Sequence, residues 1–498
     1  MSNNADNFEL LNDIDLFVID FSTIANLNST DVFDELVNFW VNHRKSVAVT
    51  RDFYENYDVI IQCRNEEQKR IANYVVSTLE TLKGSNLLKY FSNQTRPGDL
   101  IEKLHKNPRV CFVYYKYSEF AENVCDYEQN LMAKAIVLNA SGELIVCTDK
   151  DAIWTESFNR IDKSVIGDGF FKNSYIPTTG DYVKTRDGER YHLTSTIGAG
   201  GEGTVYDCQK EGIGDGTDYV VKIYHKGQLN KLRLKKLMIM ETKKVDFNGV
   251  SWPEKLIYSE KGEPVGYIMK KIKGKPLSAI FSSDEDVLKE FPYWTRENVL
   301  WVIIEVLKKI QYLHLFGIIV GDLRLRNIII DQQGNVSLCD IDSCQINDLP
   351  CPAGFPDFTA PEIYNIEFGK KLRTYRNENF ACSVVLFKLL FCGLHPYDQI
   401  DGADSIQMDI NRKKFPYPQC GTYGLEKVPW GPYKGIWKHL PIQYQMFLYN
   451  MFKVGERYSV IEMIIMTQTY YNFLYKYKSY YYFVNDITFE TEDIDDLD

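Results

Sequence analysis

Between Ile318 and Ser343 the chain reads IIVGDLRLRNIIIDQQGNVSLCDIDS. Two short apolar runs, 328–330 and 336–338, are joined by a Gln-Gln-Gly-Asn turn at 332–335. Such a pattern predicts a β-hairpin, and a hairpin brings its two ends together. Asn327 at one end and Asp340 past the other then face each other, with Asp322 on the loop leading in. Two oxygen ligands beside a third carboxylate can hold Mg²⁺ on a nucleotide and leave one acid free to accept a proton.

Upstream, Gly198-Ala-Gly-Gly-Glu-Gly203-Thr-Val205 fits G-x-G-x-x-G-x-V. The sequence after it continues as a strand rather than opening a helix, which separates it from a dinucleotide fingerprint. Gly198, Gly200 and Gly203 let backbone N–H groups approach anionic oxygens without an intervening side chain. The next strand, Tyr219-Val-Val-Lys222-Ile-Tyr, sets one lysine in an apolar run, where burial is costly unless the charge is paired.

These motifs, in this order, resemble the protein kinase superfamily in a divergent bacterial branch. The resemblance covers more than half the chain and implies an α+β two-lobed protein kinase-like fold, preceded here by a separate α/β domain. It makes Asp322 the proton acceptor and Arg324 a charge near the γ-phosphate, with Asn327 and Asp340 the metal ligands. Gly198, Gly200, Gly203, Val205, Lys222, Met269 and Ile272 become ATP contacts, the last two on the strand and hinge Tyr267–Gly274. Glu241, on a helix expected over 232–243, is the expected partner of Lys222. Ala360-Pro361-Glu362 matches the end of an activation segment, with Arg457 as the ion-pair partner of Glu362.

The implied cofactors are ATP and Mg²⁺, or Mn²⁺. The implied reaction is phosphoryl transfer to Ser or Thr of a protein, or of the chain itself. The alternative is a pseudokinase or nucleotide-sensing scaffold. Several positions depart from the pattern. Val320 and Gly321 replace the usual His and Arg, Asp340-Ile-Asp342 replaces D-F-G, and Phe355 stands where Ser/Thr kinases keep a Thr. Asp342 is expected as a turn residue, with a further metal ligand as the alternative, and either Glu378 or Asn379 stands where the acid supporting the catalytic loop is expected.

The 498 residues exceed one ordinary core, and strand and helix patterns divide them. Residues 1–166 read as an α/β domain with strands at 16–19, 47–50, 110–114, 135–138 and 144–147. A linker is expected at 167–188, a kinase-like domain at 189–475 (lobes 189–275 and 276–475), and an acidic tail at 485–498. Asp20 ends the first strand and Asp149 follows the last, a loose resemblance to PIN-like nucleases and their metal sites. A docking module is the other reading, and nucleic acid is a partner only in the first. The net charge of −11 argues against a broadly basic nucleic-acid surface. Eleven cysteines without a C-x-x-C pair fit a reducing compartment, and no run is long and apolar enough to span a bilayer. Cytoplasmic localisation without membrane attachment is expected; oligomeric state is open.

Overall fold

The computed structural model describes residues 8–477, apart from 51, 92–95, 159, 163, 165–174, 213–217, 244, 283, 293, 403–404 and 422. The first part of the expected linker, 167–174, and the whole acidic tail lie outside the described residues.

The N-terminal region is a six-stranded sheet of β1 (Leu16–Ile19), β2 (Ser46–Val49), β3 (Leu88–Tyr90), β4 (Val110–Tyr115), β5 (Lys134–Leu138) and β6 (Leu144–Cys147), in the order β3-β2-β1-β4-β5-β6. All neighbours are parallel except β5–β6, a hairpin closed by the Asn139–Gly142 turn. Val47, Ala48 and Val49 of β2, and all of β4, are buried, the unbroken apolar pattern of a sheet covered on both faces. Helices α1 (Asp31–Asn42), α2 (Phe53–Ile60), α3 (Glu66–Gly84) and α4 (Glu119–Cys125) belong to its cover. Ile71, Val75, Leu79 and Leu82 of α3 recur at helical spacing and all point into the core.

The second region begins with six antiparallel strands closed into a small barrel: β7 (Tyr182–Thr185), β8 (Arg190–Ala199), β9 (Gly203–Lys210), β10 (Tyr219–Tyr224), β11 (Lys255–Ser259) and β12 (Pro264–Lys270). β7 pairs with both β8 and β11 and closes the ring. The expected linker therefore stops short of 188, because 182–185 is a strand of this barrel. Its single buried pair, Val183 and Thr185, was obscured by flanking Gly and Asp turn residues. Gly266 is required where β12 crosses β10, since a Cβ there would meet Lys222 O at 1.8 Å. Helix α5 (Lys231–Lys243) lies against β11 and the barrel.

The helical part holds α6 (Arg296–Leu315), α7 (Tyr375–Leu390) and α8 (Val460–Tyr477). Fifteen residues of α6 are buried, so it is a central core helix. Thr295 and Thr374 cap α6 and α7 through reciprocal bonds with Asn298 and Asn377.

The two regions share one apolar core, which runs from Phe17 and Val49 through Phe316 to Val385 and Met463. Polar bonds reinforce the seam. Gln311 donates to Asn56 at 2.8 Å, Tyr312 to Gln68 at 3.0 Å and Asn26 to Leu315 O at 2.7 Å. Among the described residues no helix is long and apolar enough to cross a membrane.

Candidate active site

The hairpin forms as expected from β15 (Ile328–Ile330) and β16 (Val336–Leu338), with Ile328 opposite Leu338. Two-residue strands precede it at β13 (Lys275–Pro276) and β14 (Ile318–Ile319), and β13 pairs with β15. Cys339 N donates to Asn327 O at 2.9 Å, which brings Asp340 next to Asn327. The Asn327 amide donates to Asp322 O at 2.9 Å and to its carboxylate at 3.3 Å. Arg324 Nη2 lies 3.0 Å from the same carboxylate, and its guanidinium sits 5.8 Å from the Phe355 ring centroid. The aromatic ring thus supports the arginine where a hydroxyl was expected.

Glu378, at the start of α7, holds the loop from behind. Its oxygens accept from Val320 N at 2.8 Å and Gly321 N at 3.0 Å. Asn379 faces the other way and donates to Glu119 of the N-terminal region at 2.9 Å. Gly321 has φ +76°, and a Cβ there would lie 2.5 Å from Cys351 Sγ. Arg373 donates to both Gly321 O and Ala353 O, so one guanidinium ties the catalytic loop to the following segment. It also packs 4.3 Å from the Phe368 ring centroid.

Lys222 has other partners than the expected one. Its Nζ reaches Asp340 Oδ1 at 2.5 Å and Asp342 Oδ1 at 2.9 Å. Glu241 does not meet it; that carboxylate accepts from Leu256 N at 3.3 Å. The helix instead presents Arg233, whose Nε is 3.8 Å from Asp342 Oδ2. Asp342 is therefore a fully buried ionic hub and more than a turn residue, and it also accepts from Tyr224 at 2.5 Å and Tyr267 at 3.1 Å. Burial would raise its carboxyl, but Lys222 and Arg233 outweigh that and hold it well below the usual carboxylate range. Burial would lower the Lys222 ammonium, yet Asp342, the Tyr224 hydroxyl and Asp340 keep it above its ordinary value. Asp340 takes a left-handed backbone, φ +59°, a conformation that a short polar side chain tolerates. The hub was missed because helical acids were sought, while the informative signal was inverse: Arg233 and Lys236 are buried helix cations. Lys236 donates to Ser343 O at 2.9 Å.

The glycine loop joins β8 and β9, with Gly200 N donating to Gly203 O at 2.9 Å and Gly198 opposite Val205. Val205 is paired with Lys222 across β9–β10. Glu202 in the loop reaches Arg233 Nη2 at 2.6 Å, so the same arginine links loop, helix and Asp342. Met269 is buried opposite Val220, and Ile272 is half-buried in the extended stretch after β12. Further on, Arg457 Nη2 lies 3.4 Å from Glu362 Oε2, and Asn377 donates to the other oxygen at 3.1 Å.

Asp20 and Asp149 are not brought together. Asp20 follows β1 at the carboxyl end of the parallel strands, whereas antiparallel β6 carries Asp149 to the opposite edge, where it caps a helix through Ala152 N. Asp52, Glu119 and Asp126 are among the acids that line a cavity with Asp20.

A barrel with a glycine-rich hairpin, stacked on a helical lobe whose hairpin carries Asp322, Asn327 and Asp340, defines a two-lobed protein kinase-like architecture. The family model for the protein kinase domain matches residues 191–454. The chain belongs to the protein kinase family. It is 30% identical over 247 residues to "Protein kinase YegI" of Escherichia coli (strain K12), covering 47% of this chain and 37% of that protein. It is 28% identical over 210 residues to "Serine/threonine-protein kinase MRCK gamma" of Mus musculus, covering 40% of this chain and 13% of that one. "Serine/threonine-protein kinase GIN4" of Saccharomyces cerevisiae (strain ATCC 204508 / S288c) matches at 22% over 261 residues, 46% of this chain and 21% of that one. The matched part thus spans well under half of each relative's length.

Proposed function

We propose that the chain transfers the γ-phosphate of ATP to a Ser or Thr hydroxyl of a protein or of itself. The supporting observation is that Lys222, Asp340, Asn327 and Asp322 form one linked series between the lobes. An amide and a carboxylate are few ligands, which suits Mg²⁺ (or Mn²⁺), an ion that takes the rest of its shell from phosphate and water. Asn327 and Asp340 would hold that ion, and it would neutralise phosphate charge when bound. Asp342 is not among its ligands, being saturated by Lys222, Tyr224 and Tyr267.

Asp322 takes the acceptor proton. The Asn327 amide and Arg324 guanidinium fix its carboxylate, so the proton is lost toward a pre-oriented oxygen. Lys222 supplies charge to the α- and β-phosphates, and Asp342 is its positioning residue, in the part that a helical acid was expected to play. The N-terminal region serves as a docking and regulatory module, a reading favoured by the apolar core it shares with the kinase fold.

The test is transfer of label from radioactive ATP by wild type beside Asp322→Ala, with phosphoamino-acid analysis of the product. The variant should lose about 10²–10⁴-fold in rate, the span of general-base catalysis, while still binding nucleotide. Equal rates would leave the nucleotide-sensing scaffold as the better reading.

A further inference from the structure

The N-terminal sheet reverses its strand order between β1 and β4: the chain lays down β2 and β3 on one side, then β4 and β5 on the other. In open α/β sheets the carboxyl ends of the strands at such a switch point leave a crevice, and ligands bind there. Here the crevice is a cavity of about 490 Å³ roofed by α6, α7 and α8 of the kinase fold. Asp20 enters it after β1, Asp52 after β2, and Glu119 after β4. Eight carboxylic acids and three arginines line it.

The arginines are already paired, Arg96 and Arg376 with acids of the same cavity. Arg96 pairs with Glu462 at 3.0 Å and Glu456 at 3.5 Å, Arg376 with Asp126 at 3.8 Å, and Arg457 with Glu362. Neither Asp20 nor Glu119 has a cationic partner among the described residues; Asp20 accepts from Ser22 and Glu119 from Asn379. Burial raises both, Asp20 to about 7 and Glu119 to about 8, with Asp52 adding repulsion to each. Two side chains on α6 point the same way. Gln311 is 5% exposed and His314 4%, both line the cavity, and among the described residues Gln311 Oε1 and both His314 ring nitrogens have no hydrogen-bond partner, His314 Nε2 lying 3.9 Å from Glu378 Oε1. Buried polar atoms of native proteins are seldom left so.

We propose that this cavity binds a small organic cation with at least two amino groups, a diamine or polyamine. Separate unpaired acids at Asp20 and Glu119 call for more than one ammonium group, and Gln311 Oε1 is a further acceptor for N–H. Phe120, Pro97 and Tyr127 supply apolar wall for the methylenes between the amines. A single metal ion fits less well: no group of three or more His, Cys, Asp or Glu side chains among the described residues could hold one. An anionic ligand would meet the acid excess unfavourably.

The full-length chain is titrated calorimetrically with spermidine, Mg²⁺ and Mn²⁺, so that the outcome does not depend on kinase activity. Wild type should bind one spermidine saturably, and Asp20→Asn with Glu119→Gln, which keeps the side-chain shapes, should bind at least tenfold more weakly. Glu66→Gln with Glu67→Gln removes the same charge from an exposed face of α3 and should bind as wild type does. Equal losses in the two double variants, absence of saturable spermidine binding, or Mn²⁺ filling the site without competition from spermidine would each overturn the proposal. Should the cavity variant fail to give a native circular dichroism spectrum, Gln311→Leu decides. At least threefold weaker spermidine binding supports the site, and unchanged binding sinks it.

Discussion

Two buried ionic clusters in this molecule are built on opposite principles. Around Lys222, two carboxylates meet two cations and two tyrosine hydroxyls, and Asp342 is held strongly acidic. In the switch-point cavity Asp20 and Glu119 meet no cation among the described residues, and burial pushes them up to about 7 and about 8. Burial is common to both, so the difference lies in the partners: desolvation raises a carboxyl, and opposing charges and hydrogen-bond donors lower it, enough at Asp342 to win. The first cluster is complete without a ligand. The second is not.

The largest effect should follow from breaking the complete cluster. Asp342→Asn removes the buried carboxylate that Lys222 and Arg233 share, leaving them Asp340 and Glu202, and breaking a buried pair from one side typically costs about 3–5 kcal/mol. Urea unfolding should register that loss, and phosphoryl transfer should fall with it because Lys222 is no longer held. A loss within 0.5 kcal/mol, in the range of ordinary surface substitutions, would mean that Asp340 alone suffices for Lys222.

A smaller loss is expected where the catalytic loop is supported by backbone geometry. Gly321→Ala places a side chain in the left-handed region, worth roughly 1–2 kcal/mol, and drives its Cβ into Cys351. Because Glu378 and Arg373 bind the same peptide units, the rate should drop with the stability. A Cys351→Ala background should recover part of both. Failure to recover anything would place the whole cost in the backbone conformation.

The incomplete cluster should show itself through pH at Glu119 and at its neighbour Glu122, one turn further along α4 and outside the cavity lining. Glu119 and Glu122 bind their protons more tightly in the folded chain than in the unfolded one, where the ordinary value is 4.5. Folding therefore takes up protons between pH about 4.5 and about 8, and their contribution to stability declines across that window as pH rises. The difference in Tm between wild type and Glu119→Gln with Glu122→Gln should grow in favour of the variant from pH 5 to 8, then level off. A constant difference would show that both carboxyls are already ionised near pH 5.

Much of this architecture was legible in the sequence, for identifiable reasons. β1, β6 and the hairpin strands stand at their expected residues because each is a short apolar run closed by a polar turn. The kinase motifs were legible because phosphate and metal chemistry admits few residue types. β7 was hidden by turn residues, and α2 by its brevity. The joining of the two regions could not be read at all, since Gln311 and Asn56 are ordinary polar residues until the fold sets them 2.8 Å apart. The partner of Lys222 was misplaced for the same reason. A buried charge demands a counter-charge, but sequence does not say from which element it comes.

That last point yields the smallest predicted effect. Glu241 is the only acid on α5, and the helix bears arginine and lysine on its buried face. Its carboxylate does no more, among the described contacts, than accept a backbone N–H from Leu256 at 3.3 Å. The carbonyl of a glutamine can accept the same bond, so Glu241→Gln should change stability by less than about 0.5 kcal/mol, as surface substitutions usually do. The rate of phosphoryl transfer should also stay at the wild-type value. A large loss of rate with stability intact would mean that α5 shifts during turnover to bring Glu241 to Lys222, and that the Asp342 hub describes only one of two states.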